Sequence, residues 1–184
     1  MKSTNNVLKK ILDIESVNHI STKLNYDGKK IVLCHGDFDV LHTGHLNYFS
    51  EAKKKGDILI ISVTGKNFIK KGPGRPINDD HQRLIFLANL EIVDYVVLDT
   101  NFNAVKIIQN IKPKFYVKGS DYYLNKKNDF FSKNLQLEKK VVERYGGQLY
   151  FTKNKTRSSS NIINNLFLKK EIIKKIDKLK KNYN

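Results

Sequence analysis

The residues best suited to chemistry lie in one short stretch, HGDFDVLHTGH, at positions 35–45. His42 and His45 stand three apart, a spacing that brings two side chains to the same side of a first helical turn. Gly44 between them lets a phosphate oxygen approach the backbone. Thr43 reads as the N-cap of the helix that follows, so unpaired N–H groups and the positive end of the helix dipole face the same space. Such an end attracts phosphate, and two imidazoles can bracket it. The chemistry served would be displacement at phosphorus: an acceptor phosphate oxygen attacks an α-phosphorus, pyrophosphate leaves in line, and the growing negative charge is held by donors without a protein nucleophile. Taken alone, H-x-x-H also suits a metal pair or two satisfied polar residues. Its place after a strand and a glycine turn, at a helix start, is what raises the first reading.

That place follows from the elements around it. KKIVLCHG reads as a strand, residues 44–55 as a helix and DILIISV as a buried strand, one βαβ unit. The Gly/Pro loop KKGPGRP leads to a helix over 79–90, a strand over 95–98, a helix over 104–110 and a strand over 115–118. Residues 135–145 read as a helix stopped by Gly146 and Gly147, residues 148–152 as the last strand, and a helix follows from Ser159. Residues 122–134, polar with aromatic insertions, read as a loop. Five strands interleaved with helices predict an α/β fold, a doubly wound parallel sheet with helices on both faces. Ligands of such sheets bind where strands end and helices begin. Extra helices are expected at both ends, giving an N-terminal helical extension over 1–28 (its helix over 5–20), a core domain over 29–167 and a basic helix over 168–184.

The chain of 184 residues, 40% hydrophobic, suffices for one such core and no second domain. Its single cysteine, Cys34, excludes a disulfide framework and favours a reducing compartment. The N-terminal residues MKSTNNVLKKILDIE lack the apolar run of a signal peptide, and no later run approaches membrane-spanning length, so a cytoplasmic protein is expected. A net charge of +16 invites a nucleic-acid reading, but the lysines are scattered and no aromatic-basic interleaving of the RNA-binding type occurs. The same positive field would draw in triphosphates and phosphorylated acceptors.

GDFDVLHTGH resembles the signature of the HxGH nucleotidylyltransferase superfamily, which includes cytidylyltransferases and sugar-phosphate adenylyltransferases. EAKKKGDILIISVT is similar to that family's second strand and its approach, GRPINDDHQRLIFLANLEIVDYVV to its arginine-bearing helix, and VKGSDY and RSSSNII to two later motifs. The likeness covers roughly residues 30–166. It implies a Rossmann-like fold, a nucleoside triphosphate and a phosphorylated small molecule as partners and a homodimer; with a single cysteine to offer, the metal expected as cofactor is Mg²⁺ held by oxygens. It assigns His42 and His45 to the triphosphate, with Gly36, Phe38 and Gly44 in the nucleotide-binding turn. Lys70 or Lys71 and Arg83 would supply charge to the phosphates, and Ser158, Ser159 and Ser160 hydroxyls and N–H groups. Asp39, Lys118, Asp121 and Tyr122 would stand near the acceptor, with Asp39 alternatively orienting the loop. KGPGRPIN and VKGSDY resemble the branch that activates heptose 1-phosphate with ATP for surface polysaccharide synthesis; CTP with glycerol 3-phosphate is the alternative.

Each assignment has a plainer competitor. Arg83 can pair with Asp79 or Asp80 on its own helix, the loop lysines can be solvated charges, and the serines an ordinary N-cap. Asp121 and Tyr122 can simply form a turn. His35, at the end of the first strand, reads as a satisfied polar residue. A non-catalytic nucleotide or nucleic-acid binding module is the competing reading for the whole chain.

Overall fold

Ile31, Val32, Leu33 and Cys34 are consecutive and all fully buried. A strand without a solvated face must be covered on both sides, and Leu59, Ile60 and Ile61 repeat the pattern in its neighbour. The computed structural model describes residues 6–69, 71–72, 74–120 and 129–153, the side chains of 129–132 excepted. In chain order these form β1 (Ile11–Leu12), α1 (Ile14–Tyr26), β2 (Ile31–Gly36), α2 (Thr43–Lys53), β3 (Ile58–Thr64), a 3₁₀ turn (Lys66–Phe68), α3 (Asp80–Ala88), β4 (Tyr95–Asp99), α4 (Val105–Ile111), β5 (Phe115–Lys118), α5 (Asp129–Arg144) and β6 (Gln148–Phe151).

The strands pair in the order β1-β4-β3-β2-β5-β6, and every neighbouring pair is parallel. From β2 the chain steps outward through β3 and β4, then crosses back to β5 and β6. The order therefore reverses between β2 and β5, and the crevice beyond their C-terminal ends is where this topology binds ligands. Alternating residues feed two cores. Val32 and Cys34 pack with Tyr48, Phe49 and Ala52 of α2 and Leu87 and Ala88 of α3. Ile31 and Leu33 pack with Val17 of α1, Ile107, Ile108 and Ile111 of α4 and Val142 of α5. Each fully buried aliphatic side chain contributes about 1.5–3 kcal/mol, so the sheet gives the site a rigid platform. Among the described residues no helix is long and apolar enough to cross a membrane.

The doubly wound parallel sheet is the expected one, with a sixth strand added. The N-terminal segment is not a single helix over 5–20. Residues 6–8 are helical, Ile11 and Leu12 then pair in parallel with Val96 and Val97, one packing against each core, and a second helix runs from Ile14 to Tyr26. Asp13 sets that boundary, its carboxylate accepting from the Ser16 N–H at 2.7 Å. A two-residue strand followed directly by an amphipathic helix had mimicked one helical period. Similarly, residues 129–134 are not loop but the opening of α5, which no glycine or proline interrupts before Arg144. The expected helices from Ser159 and over 168–184 lie outside the described residues.

Candidate active site

β2 stops at Gly36, and the chain turns through Asp37, Phe38 and Asp39. Phe38 adopts the left-handed region, φ 46°, which costs a non-glycine residue about 1–2 kcal/mol and has to be compensated by its packing. Its ring folds back over Gly36, where a Cβ would meet the Phe38 Cζ at 3.1 Å. Gly36 therefore serves the turn. The ring is 6% exposed and lies edge-on to His45 at 5.5 Å and against Phe49 at 5.3 Å, so Phe38 forms a floor beneath the histidines.

The N-cap of α2 is His42 itself, with Thr43 as first helical residue rather than cap. No side chain caps this end. Its first turn thus opens toward the crevice without the internal acceptor that Asp13 and Asp79 give to α1 and α3. The His42 and His45 rings stack with centroids 3.9 Å apart and planes inclined by 24°. Gly44 is buried between them. Burial, then the neighbouring His42 and Lys71, push His45 down to about 3. His45 is consequently neutral near pH 7, one ring nitrogen a donor and the other an acceptor.

The loop between β3 and α3 crosses over this turn. Lys71 Nζ lies 3.0 Å from Asp37 Oδ2. Burial raises the affinity of Asp37 for a proton, but the charge and hydrogen bond of Lys71, with a hydrogen bond from Thr64 and the influence of His35, outweigh it and hold the carboxyl below its ordinary value. Asp39 is 1% exposed; its Oδ2 accepts from Arg75 Nε at 2.6 Å and its Oδ1 from the N–H groups of Ile77 and Asn78 at 2.7 and 3.1 Å. Of its two expected roles, orienting the loop is thus the one its contacts perform. Arg83 is fully buried: Nη1 donates to the carbonyls of Asp37 and Thr64 at 2.6 and 2.7 Å, and Nη2 to Asp80. One guanidinium thereby ties the ends of β2 and β3, and the helix-internal partner anticipated for it is present.

Beneath the crevice, on the α1–α4–α5 side, the strands end in polar residues. His35 Nδ1 lies 3.1 Å from Ser62 Oγ and 3.9 Å from Asp99, and burial followed by the charge of Lys118 pushes it down to about 4. It is a satisfied core residue, as its position suggested. Lys118 is 3% exposed, 3.6 Å from Glu138 Oε2. Glu138 also accepts from Tyr116 Oη at 2.9 Å and from the N–H of Ala104 at 3.1 Å, joining α5 to β5 and to the start of α4.

The structure therefore gathers His42, His45, Gly36, Phe38, Gly44, Asp39, Lys71 and Arg83 around the end of β2, and sets Lys118 at the end of neighbouring β5. Lys70, Asp121, Tyr122, Ser158, Ser159 and Ser160 lie outside the described residues. Asp37, Arg75 and Glu138 were not singled out from sequence. The first two lie inside quoted motifs, and their opposite charges on two loops that must meet were a usable signal. The hollow lined by Ile14, Asn18, Thr22, Tyr26 and Asn110 along α1 contains none of these groups, so the chemistry is placed at the strand ends.

The profile of the family described as cytidylyltransferase-like matches residues 33–165. Curated proteins named bifunctional protein HldE are similar: that of Aliarcobacter butzleri is 39% identical over 140 residues, 75% of this chain and 29% of that one. The Nitratiruptor protein is 44% identical over 114 residues, 61% of this chain and 25% of its own, and a Helicobacter pylori protein 40% over 136 residues, 73% and 28%. The chain thus spans less than a third of the length of these relatives. Among solved structures, a lipopolysaccharide core biosynthesis protein from Thermoplasma volcanium superposes with TM-score 0.55 at 24% identity, covering 71% of this chain and 99% of that one. A pantoate-beta-alanine ligase from Francisella tularensis gives TM-score 0.57 at 18% identity over 84% of this chain and 72% of its own, a likeness of fold. With its strand-end histidines, their turn and the loop clamped over it inside the matched region, the chain belongs to the cytidylyltransferase-like family of nucleotidyltransferases.

Proposed function

We propose that the chain transfers AMP from ATP to a sugar 1-phosphate of the heptose 1-phosphate type, releasing pyrophosphate and yielding a nucleotide-activated sugar for surface polysaccharide. The observation that carries the transfer chemistry is the stacked His42–His45 pair at a helix end with no side-chain cap, at the point where the sheet order reverses. The triphosphate lies along this end. Neutral His45 donates a hydrogen bond to it without bringing a further positive charge beside Lys71, and His42 donates from the stacked ring. An acceptor phosphate oxygen attacks the α-phosphorus, the bond to the bridging oxygen breaks, and pyrophosphate leaves with the electron pair. Lys71, and in this reading Lys70 and Ser158 to Ser160, hold the departing phosphates, while Arg83 keeps the two strand-end loops in register. In this reading Lys118, Asp121 and Tyr122 bind the acceptor.

In this reading Mg²⁺ enters with the substrate, as the magnesium–triphosphate complex. The preference for ATP and an aldose phosphate rests on KGPGRPIN and VKGSDY, the segments of the resemblance to the heptose branch. A cytoplasmic homodimer completes the proposal.

Pyrophosphate release is the test, with MgATP and MgCTP each offered heptose 1-phosphate, other sugar phosphates and glycerol 3-phosphate. Release with MgATP and a sugar 1-phosphate is the expected result. Release only with MgCTP and glycerol 3-phosphate would move the chain to the alternative branch, and silence with every pair would leave transfer without support.

A further inference from the structure

The loop that follows β3 is fastened to the Asp37-Phe38-Asp39 turn at two points of different character. The Asp39 fastening is permanent in kind: Arg75 and Asp39 are 7% and 0% exposed, and two backbone N–H groups complete the carboxylate's shell. The Asp37 fastening faces solvent, with Lys71 37% and Asp37 22% exposed and a single contact of 3.0 Å between them. Pairs of that kind are weak and exchange partners readily.

Asp37 also stands where an acid is least expected. It adjoins the helix end and histidine pair assigned to a triphosphate, and a carboxylate there repels the ligand unless a cation offsets it. Lys71 is that cation in the free protein, yet it is also the loop lysine assigned to the phosphates. The two demands compete for one ammonium group.

We infer that Asp37 is a positioning residue that sets triphosphate affinity: it holds Lys71 beside the crevice in the free protein and yields it to the polyphosphate in the complex. The inference rests on the proposed triphosphate-binding role of this site. Separating Lys71 from Asp37 on binding costs affinity for the nucleotide and equally for departing pyrophosphate, which would otherwise be retained by Lys71 and the helix end together. The fixed Arg75–Asp39 anchor keeps the rest of the loop in place during the exchange.

The test is calorimetric binding of an ATP analogue with a methylene bridge between the α- and β-phosphorus, in Mg²⁺ and near-physiological salt. The full chain is compared as wild type, Asp37→Asn, Lys71→Ala and the double variant, with Asp37→Ser as a second replacement should Asp37→Asn fold poorly. Asp37→Asn is expected to tighten binding about three- to tenfold when Lys71 is present and at most about twofold in the Lys71→Ala background. An equal gain in both backgrounds reduces Asp37 to a simple repulsive charge and overturns the inference. A loss of affinity overturns it too, making Asp37 a direct ligand. Wild type that binds no triphosphate removes the proposed function as well, an outcome distinct from wild type that binds normally while Asp37→Asn changes nothing.

Discussion

At the residue scale the chemistry depends on an imidazole kept uncharged. His45 reaches this state through burial and its neighbours His42 and Lys71, and His35, a structural residue in the layer beneath, does so through burial and Lys118. Depressing a histidine has a consequence for folding whose sign is fixed. Between the ordinary value of 6.5 and about 4, the unfolded chain takes up a proton at His35 that the folded chain refuses, so stability is complete above that window and is lost as the pH falls through it. From pH 7 to pH 5 the loss from His35 should be about 2 kcal/mol, and His35→Gln should remove that share of the slope in urea unfolding. An unchanged slope in the variant would show that His35 titrates normally in the fold. The histidine pair was legible in the sequence because its geometry is local, three residues on one helical turn. The buried roles of Asp39 and Glu138 were not, since Asp39 finds Arg75 36 positions away and Glu138 finds Ala104 at 34.

Among the elements, the loop over the site is the part most dependent on a single group. Asp39 organises Arg75, Ile77 and Asn78 at once, and removing its charge leaves a guanidinium that is 7% exposed without a counter-ion. Breaking one side of such a buried pair costs about 3–5 kcal/mol. Asp39→Asn should therefore lower the denaturant midpoint by that equivalent, with part of the loss restored when Arg75 is also replaced by Met. A cost below about 1 kcal/mol would mean the loop is held elsewhere. Strands β2 to β5 were legible because their unbroken apolar runs fit only a sheet covered on both faces, and β6 because the Gly146-Gly147 stop marks its start. β1 was not: two residues carry no period of their own, and Ile11 and Leu12 become a strand only because β4 presents a free edge to them. The start of α5 was obscured by its aromatic and polar composition, although no residue in it breaks a helix.

For the whole molecule, topology decides where chemistry occurs and charge decides what arrives. The sheet reverses between β2 and β5, bringing the histidine pair and Lys118 to adjoining strand ends from opposite windings of the chain. The net charge of +16 enriches polyanions of every kind around such a molecule, nucleic acids included, and so does not separate a transferase from a polynucleotide binder. The histidines do separate them. The most direct measurement is kcat/KM for pyrophosphate release by wild type, His42→Ala and His45→Ala on one substrate pair, with polynucleotide binding followed in the same variants. Each replacement removes a donor to charge that develops in transfer, so kcat/KM should fall about 10²–10³-fold while salt-sensitive polynucleotide binding stays unchanged. Variants that release pyrophosphate within twofold of wild type would contradict the central claim that the His42–His45 pair performs the transfer.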